Sequence, residues 1–164
     1  MDPVELFLVC PPGLESLLSA EAQAHGFQSV QAQDGGVTIG GGWDEARRAC
    51  LMLRGASRVL VRVARFGAPH LAQLDKRARK LDWTSLLRAD MAVKVEASCK
   101  GSRIYHAGAA AERVAGAIRD GTGAPIRDDG PVRVLVRIQK NLCTISVDVS
   151  GEPLHRRGFK QAVA

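Results

Sequence analysis

The sequence lacks several kinds of pattern, and each absence argues against a class of protein. No apolar run along the 164 residues approaches the roughly 18 that a membrane-spanning helix needs. The acidic start, Met1–Glu5, lacks the positive charge of a secretory signal, so we expect a protein that is not exported. The four cysteines lie 40, 49 and 44 residues apart. That spacing fits neither a disulfide framework nor a zinc site and favours the reducing cytoplasm.

Residues that could carry catalysis are scattered. The four histidines form no metal-ligand spacing, so we expect no metal site. Gly35–Gly42 contains neither a dinucleotide-binding nor a phosphate-loop motif, and a hairpin turn explains its glycines. Cys99 beside Lys100 is most simply a small strand residue, and Asp128 and Asp129 lie in a loop rich in glycine and proline. We therefore expect no catalytic residues in this chain.

Charge is unevenly distributed. Residues 1–64 hold five Lys and Arg against seven Asp and Glu, a net charge of −2, whereas residues 65–164 hold eighteen against ten, a net charge of +8. Basic surplus in one part of a chain is typical of a polyanionic partner, most often nucleic acid, although a merely soluble basic surface is the alternative. The seven aromatic residues are too few for a base-stacking platform, which favours contacts to phosphate.

The first 66 residues predict the order β-α-β-β-α-β of a ferredoxin-like domain. A short apolar run at Val4–Val9 is followed by helical spacing from Leu14, and Asp34-Gly35-Gly36 marks a hairpin. Asp44 is placed to cap the second helix, and Ser57–Phe66 alternates as a strand. A joint at Gly67 then predicts a second domain.

The second part of the chain is also α+β. Its predicted elements are a helix at His70–Leu81, a strand at Met91–Ser98, a helix from Ser102 to about Gly121, and a hairpin of Val132–Gln139 and Leu142–Val149 around Lys140-Asn141. A helix that begins at Ser102 would bring Arg103, His106 and Arg113 close to one stripe.

Basic residues on predicted faces indicate a nucleic-acid surface. Arg133 and Arg137 share one side of a strand, roughly 13 Å apart at about 3.3 Å per residue, and Lys140 lies at the hairpin tip. We favour RNA over DNA because no recognition helix or zinc finger is evident. The candidate RNA-binding residues are Lys100, Arg103, His106, Arg113, Arg133, Arg137, Lys140, Arg156, Arg157 and Lys160.

Three segments resemble a known family when taken together. They are Cys10–Leu18 (CPPGLESLL), Ser102–Val114 (SRIYHAGAAAERV) and Asp148–Lys160 (DVSGEPLHRRGFK). They are similar to the N-terminal region of the THUMP-domain RNA guanine-N2 methyltransferases that act on bacterial large-subunit ribosomal RNA. The last segment, D-x-S-G-x-x-L-H-R-R-G-[FY]-[KR], is the most specific. Such proteins are sometimes described as adenine-specific DNA methylases.

The resemblance implies three regions: a ferredoxin-like domain at residues 1–66, a THUMP domain at residues 67–155, and a linker at residues 156–164 toward a methyltransferase domain. THUMP domains bind structured RNA and present it to a catalytic domain. Arg103, His106, Arg113, Arg156, Arg157 and Lys160 are then expected to contact RNA or join the linker. Tyr105 fits a packing role equally well.

The chain departs from the family because it ends at Ala164, before the S-adenosylmethionine site and the Asn-Pro-Pro motif of the catalytic domain. We expect it to bind no cofactor and to methylate nothing alone. One alternative is a stand-alone basic module that binds RNA or protein. A second is the THUMP region of an enzyme with other RNA chemistry, such as thiolation or deamination, although the Asp148–Lys160 segment argues against it.

Overall fold

The computed structural model describes residues 1–156, which backbone contacts divide into two compact units. The first unit contains residues 2–62 and, after a long excursion of the chain, residues 148–156. The second unit contains Met1 and residues 63–147. We describe each unit separately.

The first unit has the ferredoxin-like order that the sequence predicts. Its elements are β1 (Glu5–Val9), α1 (Glu15–Ala24), β2 (Gln31–Gln33), β3 (Gly36–Ile39), α2 (Trp43–Met52) and β4 (Arg58–Gly67), the last of which continues into the second unit. The strand order is β2-β3-β1-β4, and each neighbouring pair is antiparallel. The hairpin predicted around Gly35 is present and joins β2 to β3.

The two helices of the first unit bury narrow stripes of small and aliphatic side chains. α1 buries Leu18 and Ala22, and α2 buries Ala46 and Ala49. The prediction that Asp44 caps α2 is wrong. The N-cap is Gly42, two residues earlier, so the helix begins at Trp43, and the Glu45 carboxylate accepts the Gly42 N–H at 2.8 Å.

The residues after β7 close the first unit through the start of the Asp148–Lys160 segment. The Asp148 carboxylate lies 2.6 Å from Arg58 and accepts hydrogen bonds from the backbone N–H and the hydroxyl of Ser150. A 3-10 turn, Leu154–Arg156, follows, and the Leu154 N–H donates to the Ser57 carbonyl at 2.8 Å. This part of the segment therefore has a structural role.

The second unit is built around a parallel strand pair and a hairpin. Its elements after β4 are α3 (Leu71–Arg79), a 3-10 turn (Trp83–Ser85), β5 (Val93–Lys100), α4 (Ala107–Thr122), β6 (Val132–Gln139) and β7 (Leu142–Asp148), whose last residue belongs to the first unit. The strand order is β7-β6-β5, and β5 and β6 are parallel, with α4 as their connection. Within residues 1–156, no helix is both long enough and apolar enough to cross a membrane.

The predicted start of α4 at Ser102 is wrong. Strand β5 runs to Lys100, two residues beyond the prediction, so residues 101–106 are needed for the chain to reverse. The Ser102 hydroxyl accepts the Asn141 N–H instead of capping a helix. The N-cap is His106, whose Nδ1 accepts the Ala109 N–H at 3.0 Å. Arg103 therefore precedes the helix, and the predicted stripe with His106 and Arg113 does not form.

Candidate nucleic-acid interface

The end of β5 and the turn between β6 and β7 are joined by backbone and side-chain hydrogen bonds. The Lys140 N–H donates to the Lys100 carbonyl at 3.2 Å, and the Asn141 N–H donates to the Ser102 hydroxyl at 3.0 Å. The Arg103 N–H donates to Asn141 Oδ1 at 2.9 Å. These bonds bring Lys100, Arg103 and Lys140 to one edge of the second unit, and all three side chains are exposed. We call this group the basic edge.

The local sequence explains why Lys140 protrudes. Lys140 and Asn141 both have positive φ, at 50° and 63°, which is the conformation of a two-residue hairpin turn that matches the twist of its strands. The Asn141 carbonyl accepts the Ala68 N–H at 2.8 Å. The turn is thereby fixed to the segment that leads into α3, and the lysine side chain stands at its tip.

A cleft of about 270 Å³ adjoins the basic edge. Tyr105 is its most open feature, with 85% of its surface exposed, whereas the preceding residue, Ile104, is buried and anchors the loop. Tyr105 is therefore available to a ligand and does not pack in the core. The cleft is lined by Pro69, His70, Leu71, Arg103, Ile104, Tyr105 and His106.

Two helices begin at this cleft. His70 is the N-cap of α3 and His106 is the N-cap of α4, and both residues line the cleft. The first N–H groups of a helix lack partners within the helix and carry partial positive charge, so they favour anions. Together with Arg103, they give the cleft an electrostatic preference for phosphate or carboxylate groups.

The remaining basic candidates of the second unit lie elsewhere on it. Arg113 is exposed on α4, and Arg137 is exposed on β6, where it donates to Gln139 at 2.7 Å. Arg133 is half-buried and donates to the Glu96 carboxylate. Burial raises the pKa of Glu96, but hydrogen bonds from Arg133 and Lys94 outweigh it and hold that pKa below its usual value. Arg133 thus already has a carboxylate partner.

The candidates at the end of the chain belong to the first unit or lie outside the description. Arg156 is exposed in the last 3-10 turn. Arg157 and Lys160 lie outside the described residues.

Sequence reasoning left out three exposed basic residues of α3. The three residues are Lys76, Arg77 and Lys80, and all are exposed. None of them is among the ten candidate RNA-binding residues. The available signal was the eighteen Lys and Arg residues of residues 65–164, of which the candidates include only nine.

Two cysteines of the second unit have raised pKa values. Burial raises the pKa of the Cys99 thiol, which is the reverse of activation. Burial, followed by the neighbouring Cys99, raises the pKa of Cys143 to about 12. Among residues 1–156, no group of three or more His, Cys, Asp and Glu side chains is arranged to hold a metal ion.

The glycine-rich segment has a structural explanation. A Cβ at Gly36 would lie 2.1 Å from the Leu8 carbonyl oxygen, so this glycine permits the close approach of β1 and β3. Gly41 has a φ of +127° and packs against the Glu45 side chain. These glycines serve strand pairing and the start of α2.

Comparison with known families assigns both parts of the chain. Residues 5–60 match the model of the RlmL ferredoxin-like domain, and residues 68–148 match the model of the THUMP domain. The chain thus belongs to the proteins in which a ferredoxin-like domain precedes a THUMP domain. More particularly, its ferredoxin-like domain is of the RlmL type.

One relative aligns with almost the whole of this chain. The chain is 37% identical over 166 aligned residues to the ribosomal RNA large subunit methyltransferase K/L of Pseudomonas aeruginosa, with 97% of this chain and 23% of that protein covered. The chain therefore spans about a quarter of the length of that relative.

Two solved structures have a similar fold. A protein from Listeria monocytogenes described as a predicted N6-adenine-specific DNA methylase superimposes with a TM-score of 0.84 at 25% identity, covering 100% of this chain and 44% of that one. TrmN from Thermus thermophilus has a TM-score of 0.77 at 25% identity, covering 93% and 47%.

Proposed function

We propose that this chain is the RNA-binding and substrate-positioning region of an S-adenosylmethionine-dependent RNA guanine-N2 methyltransferase acting on ribosomal RNA. The observation that carries the proposal is the basic edge, where Lys100, Arg103 and Lys140 meet beside two helix N-termini within the residues that match the THUMP model. Cations placed in this way neutralise phosphates without reading sequence. The name of the Pseudomonas relative supports ribosomal RNA as the substrate class.

The contribution of such a region to methylation is positional. In the proposed parent enzyme, S-adenosylmethionine supplies the methyl group and a separate catalytic domain holds it. This chain would raise the local concentration of the RNA and fix its orientation, which lowers the entropic part of the barrier. We propose the cytoplasm as the compartment and the methyltransferase domain as a partner in the same polypeptide.

We also propose the division of the sequence into residues 1–66, residues 67–155 and a linker at residues 156–164, with residues 148–155 returning to pack in the first unit. Limited proteolysis followed by mass spectrometry tests it. Cleavage should concentrate after residue 155, and early cleavage inside 67–155 would contradict the division.

The binding proposal is tested by fluorescence anisotropy with a labelled RNA hairpin at several salt concentrations. Replacing Lys100, Arg103 and Lys140 by Ala should weaken binding and reduce the slope of log K against log salt by about 2 to 3, at roughly 0.7–0.9 per phosphate contact. A matched control replaces the exposed Arg47, Arg88 and Arg127, each of which is already paired with an aspartate. Equal losses in both variants, or no RNA binding by the unmodified chain, would contradict the proposal.

A different class of function, a stand-alone interaction module, makes a separate prediction. The discriminating observation is the reading frame after Ala164. A long open frame with an Asn-Pro-Pro motif supports the methyltransferase, and a stop codon supports the module.

A further inference from the structure

Helix α3 presents a basic face on the side opposite to its buried residues. Leu74 and Ala78 are fully buried, whereas Lys76, Arg77 and Lys80 are exposed. At 3.6 residues per turn, these three positions fall within about 100° of one another and point away from the core. We call them the α3 basic face.

Acidic side chains do not neutralise the α3 basic face, in which it resembles the basic edge and differs from Arg88 and Arg127. Within the described residues, Lys76, Arg77 and Lys80 form no ion pair. Arg88 is paired with Asp90 at 2.7 Å, and Arg127 with Asp129 at 3.0 Å. The positive charges of the α3 basic face therefore lack an acidic partner among the described residues, whereas those of Arg88 and Arg127 are paired with aspartates.

The helix that carries this face is held firmly in place. Arg79 donates to Asp75 on α3 at 3.1 Å and to Asp120 on α4 at 2.7 Å. The hydrogen bonds that Arg79 donates to Asp120 and then to Asp75 raise the pKa of Arg79, and the same contact lowers the pKa of Asp120. A fixed helix presents its cations without the ordering cost that a mobile segment would incur on binding.

The helix that carries the α3 basic face begins at the cleft already described. Leu71 lines that cleft and is the first residue of α3. At 1.5 Å per residue, Lys76 lies about 8 Å and Lys80 about 14 Å further along the helix axis. The α3 basic face therefore lies within about 14 Å of the cleft along the helix axis, on the other side of the helix from Leu71, so only an RNA that extends beyond the cleft can reach it.

We propose that the α3 basic face is a second contact for the RNA backbone, through which the RNA bound at the cleft continues along α3. The inference rests on the proposed function. The neighbouring exposed residues, Ala72 and Gln73, offer no aromatic ring for stacking, so the contact is with phosphates and is independent of sequence. The partner is an RNA long enough to extend beyond the cleft.

The test uses the full chain and two labelled RNAs, a short hairpin and the same hairpin lengthened by a second helical turn. Replacing Lys76, Arg77 and Lys80 by Ala should reduce the salt slope for the long RNA by about 2 to 3 and weaken its binding at least tenfold, while the short RNA is affected much less. The control replaces Arg88, Arg119 and Arg127 by Ala, which removes the same charge from the same unit. Thermal unfolding of all variants checks that the fold is kept.

The outcomes separate the two proposals. Loss confined to the α3 variant and to the long RNA supports the second contact. Normal binding of both RNAs by the α3 variant, or an equal loss in the control, overturns it while the cleft proposal stands. Failure of the unmodified chain to bind either RNA overturns the proposed function and this inference together.

Discussion

At the scale of single residues, Asp148 shows what part of the most specific sequence motif does. Its side chain is 1% exposed, lies 2.6 Å from Arg58 and accepts the Ser150 N–H at 3.0 Å. A carboxylate buried in this way is costly unless such partners compensate it. The motif residue therefore secures the chain where it re-enters the first unit.

Replacing Asp148 by Asn should destabilise the chain by about 2 kcal/mol, because Arg58 loses its charged partner while the side-chain volume is kept. The estimate is below the range for fully buried pairs since Arg58 is 26% exposed. Urea unfolding measures the change. The control is Asp129→Asn, whose exposed pair with Arg127 should contribute less than about 0.5 kcal/mol. Equal effects of the two substitutions would refute the anchoring role.

Glu15 makes a stability prediction that depends on pH. Hydrogen bonds from the backbone N–H groups of Glu15 itself, Gly35 and Gly13 hold the pKa of its carboxyl below the usual value. A carboxyl whose pKa is lowered by folding stabilises the protein above its unfolded pKa, and this contribution is lost as the pH falls through the folded pKa.

We therefore expect Glu15→Gln to be less stable than the unmodified chain at neutral pH and to lose less stability on acidification. Urea midpoints measured from neutral pH down to the acid transition give the comparison, with Glu112→Gln on the exposed surface of α4 as the control. A constant difference between the Glu15 variant and the unmodified chain at every pH would contradict this account.

At the scale of elements, the pairing of β1 with β3 depends on one glycine. Leu8 lies opposite Val37 and Val9 opposite Gly36 in this pair, and an added Cβ at Gly36 would meet the Leu8 carbonyl oxygen at 2.1 Å. The atom that the Cβ would meet belongs to the backbone of β1, so the clash cannot be relieved by a side-chain rotation and requires the paired strands to shift.

Gly36→Ala should cost about 3 kcal/mol, the upper part of the usual range for overpacking. Gly67→Ala is the matched control, because a Cβ there has no atom within 4 Å and its φ is not positive. Chemical unfolding of both variants measures the difference. A Gly36 variant as stable as the Gly67 variant would show that the strands separate easily.

The success of sequence reasoning also varied by element, for identifiable reasons. The hairpin at Lys140-Asn141 was predictable because Asn tolerates positive φ, and alternating residues flank the turn. The start of α4 was not, because Ser102 looks like a cap locally and only the distant Asn141 shows where its hydroxyl is used. The grouping of Lys100, Arg103 and Lys140 into the basic edge was not predictable for the same reason. Its members were named individually, but hydrogen bonds between residues almost 40 apart bring them together.

At the scale of the whole chain, the uneven distribution of charge follows the division into the two matched domains. The half of the chain with a net charge of −2 contains the ferredoxin-like domain, and the half with +8 contains the THUMP domain. The central claim is that RNA is held at the basic edge and the cleft of the second unit.

The most direct test is an NMR titration of the isotope-labelled chain with an RNA hairpin, followed through the backbone amide resonances. The account predicts that the largest shifts occur at residues 100–106 and 139–141 and in the first turns of α3 and α4. These shifts should shrink when salt is raised, because phosphate contacts release bound counterions. Shifts concentrated instead in residues 2–62, with residues 100–106 unchanged, would contradict it.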